Sequence, residues 1–208
     1  MIGDEQWPFP VPLAKVRGGW QFDTDAGADE MLSRRIGRNE LRAIDVGRDY
    51  VAMQQAYAGQ PRDGKRAGLY AQKFQSSPGR QDGLYWRVGA KQTPSPMAAL
   101  VAQAVVEGYD RNKRSSEPLW GYHFRVLTAQ GAAAKGGARS YIVNGEMSGG
   151  FGLIAYPAEY GRGGIMTFML NLDGVIYQKD LGEDTLKVAA GLEAYDPDGT
   201  WAEVTETR

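Results

Sequence analysis

Apolar side chains spaced three and four residues apart between Asn39 and Ala58 constrain the fold of this chain more than any other feature of the sequence. This spacing is typical of one face of an α-helix. The face is formed by Ala43, Val46, Tyr50, Met53 and Tyr57 and is widened by Leu41, Ile44 and Val51. Gly47 lies where these positions meet, which predicts a close approach to a sheet, and Gly59-Gln60-Pro61 ends the helix.

Segments with strand character dominate the second half of the chain. They cover residues 122–128, 140–143, 151–156, 165–170 and 175–179, with a last strand near 201–204. Asn144-Gly145 and Asp173-Gly174 are hairpin turn signals, and 28 glycines suit a fold rich in turns. Shorter helices are expected at 97–107 and near 184–190. The predicted class is α+β, with the 39–58 helix packed on an antiparallel sheet.

The N-terminus carries an aromatic and proline-rich pattern. Trp7 to Leu13 has proline at alternate positions, which predicts an edge strand because prolines remove N–H donors along one side. Arg17-Gly18-Gly19 then turns the chain into Trp20-Gln21-Phe22 and completes a hairpin. The apolar face of this hairpin, with Trp7 and Phe9, is a candidate docking surface that would favour self-association.

The hairpin is expected to form a unit of its own. We predict residues 1–24 as the N-terminal hairpin and residues 25–208 as a single α+β domain. Asp23 or Thr24 can cap a first helical stretch, which Gly37 weakens before the helix that starts at about Asn39.

A second candidate binding surface consists of arginines. Arg34, Arg38 and Arg42 recur every four residues and therefore share one helix face. Arginine forks suit carboxylate and phosphate groups, so an anion or glycan site is one interpretation. The other is a solvated face neutralised by Asp45 and Asp49.

The residue inventory offers little for catalysis. The chain has no cysteine, and His123 is its single histidine, which argues against thiolate chemistry and histidine-rich metal sites. The sequence also has no Gly-x-Ser-x-Gly elbow. We predict no catalytic residue, cofactor or metal ligand, although a pair of carboxylates stays open. A net charge of −1 gives no general attraction for nucleic acid, and the longest apolar runs, such as residues 97–106, are too short to span a bilayer.

Several blocks, in order along nearly the whole chain, carry a resemblance to a known family. They are Trp7–Leu13, Gly19–Asp23, Arg34–Leu41, Tyr70–Phe74, Asp82–Trp86, Gly121–Arg125, Asn144–Gly150 and Val175–Asp180. Together they resemble the bacterial family catalogued as domain of unknown function 2950. Such proteins typically carry a signal peptide and further N-terminal sequence, so the resemblance implies a periplasmic or secreted protein and a truncated or processed chain.

The resemblance also bears on calcium. Relatives often show a calcium-type loop where this chain has residues 62–69. Here Asp63 is the single carboxylate and Leu69 stands at a ligand position, whereas calcium usually takes six or more oxygens. Asp196-Pro197-Asp198-Gly199 is explained by a turn. We therefore expect no calcium site.

The order of the helix and the later strands is similar to the globular heads of type IV pilin-like proteins, which drape an antiparallel sheet over a helix. This likeness implies a fold and nothing about function. Our leading hypothesis is a non-catalytic cell-envelope or secreted domain that acts through protein–protein or surface contacts. Its partner would be another protein, its own missing N-terminal region or a second copy. A glycan or small-ligand binding module and a carboxylate-dependent hydrolase are the alternatives.

Overall fold

The computed structural model describes residues 8–87, 93–109 and 117–205, so Trp7 lies outside the described residues. The strands and helices of the described residues are, in chain order, β1 Leu13–Val16, β2 Gly19–Phe22, α1 Thr24–Ala58, α2 Ala98–Val106, β3 Tyr122–Leu127, β4 Ala129–Gln130, β5 Arg139–Ser140, β6 Ile142–Val143, β7 Glu146–Met147, β8 Gly152–Pro157, β9 Met166–Asn171, β10 Ile176–Asp180, α3 Thr185–Gly191 and β11 Ala202–Glu203.

The centre of the fold is a five-stranded antiparallel sheet, built within the described ranges in the order β11-β10-β9-β8-β3. Strands β8, β9 and β10 form a meander, and the last two pair with Ile176 opposite Leu170. The turn between them contains Gly174 at a φ of 77°, a left-handed conformation that suits glycine. The predicted strands 122–128, 151–156, 165–170 and 175–179 all lie in this sheet, and the α+β class is confirmed.

Helix α1 packs on one face of the sheet. All five residues of the predicted apolar stripe between Ala43 and Tyr57 are buried. The close approach at Gly47 is also confirmed, because a Cβ placed there would lie 2.7 Å from Leu170 Cδ2. Leu41 was wrongly assigned to this face and is 65% exposed. It stands nine residues before Tyr50, which is two and a half helical turns and therefore the opposite side.

Helix α1 is one continuous helix of 35 residues, so the predicted interruption at Gly37 is wrong. A glycine inside a helix costs only about 1 kcal/mol relative to alanine. Two residues just beyond it fasten the helix to the segment before β9. Asn39 Nδ2 donates to Gly163 O at 2.8 Å, and Glu40 Oε1 accepts from the backbone N–H of Ile165 at 2.9 Å. The predicted cap at Asp23 is present, since its Oδ1 accepts from Ala26 N at 3.0 Å.

The N-terminal hairpin exists, but its first strand begins at Leu13 and not at residue 7. The described residues 8–12 are not a strand, because prolines at 8, 10 and 12 cannot donate to a ladder. The turn is Arg17-Gly18, between the paired residues Val16 and Gly19. The proline segment packs instead on α1, where a Cβ at Gly27 would lie 2.7 Å from Val11 Cγ2.

The predicted strand 140–143 is divided in two. β5 pairs with β4, and β6 pairs with β7. Between them Tyr141 is fully buried, and its neighbour Ser140 accepts from Ile142 N with its Oγ at 3.0 Å, which bends the chain. Helices α2 and α3 and strand β11 agree with the predicted segments to within one or two residues.

The other face of the sheet is covered as well. Leu127, Ile154, Met169, Ala189 and Tyr195 form a second apolar cluster there, with Ala189 contributed by α3. Arg125 Nη2 donates to Ala189 O and Leu192 O, both at 2.7 Å, and so satisfies carbonyls at the end of α3. Because apolar layers lie on both faces, β8 is buried at five of its six positions.

Candidate functional site

The N-terminal hairpin presents four large apolar side chains on one open surface. The register places Leu13 opposite Phe22 and Lys15 opposite Trp20, so these residues share one face of the two strands. Phe9 joins them through an edge contact with Phe22, with ring centroids 5.6 Å apart. The exposed fractions are 46% for Phe9, 57% for Leu13, 66% for Trp20 and 56% for Phe22. We call these four residues the aromatic face.

The hairpin is held to α1 by contacts that leave this face open. Asp23 N donates to Pro12 O at 2.9 Å, where the second strand runs into the helix. Arg34 Nη1 donates to Pro8 O at 2.8 Å, and Arg34 Nε lies 2.7 Å from Glu30 Oε1. Together with the packing of Val11 on Gly27, these bonds fix the proline segment along the first turns of the helix.

The first half of α1 carries the hairpin away from the sheet. Residues 28–38, all of them described, contain no buried position, whereas burial resumes at Ala43. Eleven helical residues are about 16 Å long. Met31 is also exposed in this stretch. The aromatic face therefore lies at the far end of a solvated length of helix.

The predicted arginine surface is distributed over separate contacts. Arg34 belongs to the attachment of the hairpin. Arg42 Nη2 pairs with Glu107 Oε1 at 3.0 Å, and its guanidinium lies 5.7 Å from the centre of the Trp120 ring. Arg38 is exposed. An anion at this face would have to compete with the carboxylate partners of Arg34 and Arg42.

The side chains that were considered for catalysis or metal binding make ring contacts or hydrogen bonds within the fold. His123 is half-buried and its ring makes a tilted contact with Tyr156, its partner across the strands, with ring centroids 5.4 Å apart. Asp63 accepts from Gln81 N at 2.9 Å, and Asp196 accepts from Ala133 N at 2.8 Å. Asp198 accepts from Thr200 N at 2.8 Å, as in an Asx turn. The described ranges contain no group of three or more metal-ligating side chains.

A family model with the description "Protein of unknown function (DUF2950)" matches residues 1–204. The chain belongs to this family. The DUF2950 resemblance seen in the sequence blocks is therefore confirmed. Neither curated proteins nor solved structures gave a match, so the likeness to type IV pilin-like heads stays a prediction. Within the parts of the chain that are described, no helix is both long enough and apolar enough to cross a bilayer.

Two DUF2950 blocks contain polar residues whose roles the sequence did not reveal. Asn39 and Glu40, in the Arg34–Leu41 block, hold the segment before β9. Asp82, in the Asp82–Trp86 block, accepts from Ser77 N at 2.8 Å and pairs with Lys73 Nζ at 2.9 Å. Burial would raise the pKa of Asp82, but these hydrogen bonds and the Lys73 charge outweigh it and lower the pKa to about 2. These polar residues belong to no periodic pattern of apolar side chains. Only their position inside a family block could have indicated them.

A buried polar network was also missed. Gln54 is fully buried in α1, where its Nε2 donates to Tyr50 Oη at 2.8 Å and to Ala71 O at 2.9 Å. Its Oε1 accepts from Ala71 N at 2.8 Å. Tyr50 Oη in turn donates to Gly152 O at 3.2 Å. Burial raises the pKa of Tyr50, so the hydroxyl stays protonated and able to donate. This network joins the helix, the following loop and the sheet.

Proposed function

We propose that this DUF2950 chain is a non-catalytic domain that acts through protein–protein contacts, with the aromatic face as its contact surface. The observation that carries the proposal is the open position of Phe9, Leu13, Trp20 and Phe22 on one side of a hairpin that contacts between described residues attach to α1. Apolar side chains scattered singly over a surface have no special meaning, but a contiguous group at one site is typical of an interaction site.

The size of the surface supports this function. An aromatic side chain buries 150–250 Å² when it is enclosed, so three rings exposed to about one half leave roughly 300 Å² of apolar area in water. Covering this area is worth about 7 kcal/mol before the costs of association are subtracted. A partner with a complementary apolar surface would therefore gain affinity here.

The alternatives have less support. A glycan or small-ligand module that uses the arginine surface would have to separate Arg34 and Arg42 from their carboxylate partners. A carboxylate-dependent hydrolase would need free acidic groups, whereas Asp63, Asp82 and Asp196 accept hydrogen bonds that shape their loops.

We also propose a periplasmic or secreted location, and a division of the chain at residue 24 between the hairpin and the α+β domain. The location is supported by the signal peptides that proteins resembling this chain typically carry. Fractionation of cells that express the whole gene product tests it. Recovery of the protein only with cytoplasmic markers would count against an envelope role.

Photo-crosslinking tests the contact surface. A benzophenone amino acid would replace Trp20 in one variant and Leu186, an exposed residue of α3, in a matched control. Both variants would be expressed in the cells that naturally make the protein. We expect a crosslinked adduct of defined mass from position 20 and none from position 186. Identical adducts at both positions, or none at position 20, would contradict the proposed surface.

A further inference from the structure

We infer that the partner of the aromatic face is a second copy of this chain, and that two hairpins pack face to face in a two-fold symmetric homodimer. This inference rests on the proposed function and names the partner of the same surface. A two-fold interface brings one surface patch against itself, so the patch must be complementary to itself. The aromatic face meets this requirement in both its apolar centre and its charges.

The charges around the hairpin are separated along its length. The tip carries Lys15 and Arg17, whereas the base runs into the acidic start of α1 with Asp25 and Asp29. All four side chains belong to exposed residues. The two-fold axis lies between the two faces and is perpendicular to the strands. It therefore places the two hairpins face to face with their strands running in opposite directions. The basic tip of each copy then lies against the acidic base of its partner, and both contacts are attractive.

Lys15 also agrees with this arrangement. It lies on the aromatic face itself, opposite Trp20, where it interrupts an otherwise apolar surface. A purely apolar partner would leave this ammonium group without a counter-charge. In the antiparallel dimer the acidic base of the other copy lies at the same end of the interface and supplies one.

The area is sufficient for a weak and specific dimer. The three rings contribute roughly 300 Å² from each copy, or roughly 600 Å² from two. Leu13 and the charged rim bring the total towards roughly 1,000 Å², the lower limit for a specific interface. We therefore expect an association in the micromolar range, which appears only as the protein concentration rises.

Sedimentation equilibrium of the full chain between low and high micromolar concentration tests the dimer. The wild type is expected to shift from monomer to dimer with concentration. Trp20→Ser/Phe22→Ser should weaken the dimer at least tenfold, while Leu186→Ser/Val188→Ser, which removes exposed apolar side chains from α3, should leave it unchanged. Circular dichroism verifies that each variant is folded. A dimer that is insensitive to the Trp20/Phe22 change would place the contact elsewhere and overturn the inference.

Charge reversal tests the antiparallel geometry. Lys15→Glu/Arg17→Glu makes both ends of the hairpin acidic, and Asp25→Lys/Asp29→Lys makes both ends basic. Each variant alone should dimerise more weakly than the wild type, and an equimolar mixture should recover a heterodimer, because each tip then meets a base of opposite charge. Failure of the mixture to associate would overturn the face-to-face arrangement.

The experiments separate failure of this inference from failure of the proposed function. A wild type that stays monomeric at several hundred micromolar rules out the second copy as partner. If Trp20 nevertheless crosslinks to a different protein in cells, the docking surface stands and its partner is heterologous. If the chain is monomeric and position 20 gives no adduct, the inference and the proposed function both fail.

Discussion

Two glycines in α1 give the same substitution opposite effects on stability. Gly37 has no described atom within 4 Å of the position where a Cβ would stand, apart from the helix's own backbone and adjacent residues. Replacing a helical glycine by alanine then stabilises by about 0.5–1 kcal/mol, because the unfolded chain loses backbone freedom. At Gly47 the new Cβ would lie 2.7 Å from Leu170 Cδ2, closer than real contacts allow.

The expected magnitudes follow from these two surroundings. Gly37→Ala should raise the free energy of unfolding by about 0.5–1 kcal/mol. Gly47→Ala gains the same helix propensity, but forcing Leu170 aside costs about 1–3 kcal/mol. The net change at Gly47 is therefore a loss of up to about 2 kcal/mol, and the two variants should differ by about 1–3 kcal/mol.

Urea denaturation followed by circular dichroism measures both values, and an unchanged slope shows that the same surface is exposed on unfolding. Hydrogen exchange of the amides in residues 28–38 should also slow in Gly37→Ala, since the first half of α1 lies outside the core and can open locally. Equal stabilities of the two variants would refute the close approach of α1 to β9. Unchanged exchange and stability in Gly37→Ala would refute a continuous helix through residue 37.

Three further predictions concern the buried network, acid stability and calcium. Gln54→Leu should lower the free energy of unfolding, measured by urea denaturation, by about 2–4 kcal/mol, because it leaves the N–H and C=O of Ala71 buried without partners. A similar loss in the control variant Gln55→Leu, at an exposed position, would contradict this account. Because the pKa of Asp82 is lower in the folded state than in the unfolded state, its carboxylate stabilises the protein above pH 4. As the pH falls from about 4 to 2, the free energy of unfolding should drop by about 1 kcal/mol, a value reduced for solvent screening, and Asp82→Asn should remove this pH-dependent loss. Millimolar calcium or a chelator should leave the melting temperature unchanged, because Asp63 is engaged by Gln81 N; a rise of several degrees with calcium would show a site.

Patterns of period 3.6 and period 2 were sufficient to predict the core of the fold. Side chains that face the core recur about every 3.6 residues in a helix and every two residues in a strand. These two spacings predicted the stripe from Ala43 to Tyr57 and the strands of the sheet. Leu41 was wrongly assigned to the buried face because it is apolar, although its angle around the helix places it on the opposite side. The predicted break at Gly37 was wrong because a glycine inside a helix costs only about 1 kcal/mol relative to alanine. Just beyond it, Asn39 and Glu40 anchor α1 through hydrogen bonds to residues more than 120 positions away.

The candidate surface was predicted only in part. The proline-rich segment pointed to the hairpin and to Phe9, but a strand starting at Trp7 would have placed Val11 on the open face. In the structure Val11 packs on α1, and the turn at Arg17-Gly18 sets a register that brings Trp20 and Phe22 to the surface. Burial of Gln54 could not be read from the sequence either, because its partner Ala71 lies 17 residues further along the chain in a loop.

The connectivity between α1 and the sheet has a consequence for the order of folding. The meander β8–β9–β10 joins neighbours in sequence, whereas Tyr50 reaches Gly152 across 102 residues. Closing the longer loop costs more chain entropy, so we expect the meander to form before α1 docks on it. If α1 docks after the rate-limiting step, Tyr50→Phe should speed unfolding and leave the folding rate nearly unchanged. Stopped-flow rates across a range of urea concentrations test this order, and a slower folding rate in Tyr50→Phe would mean that the helix is already in place at the barrier.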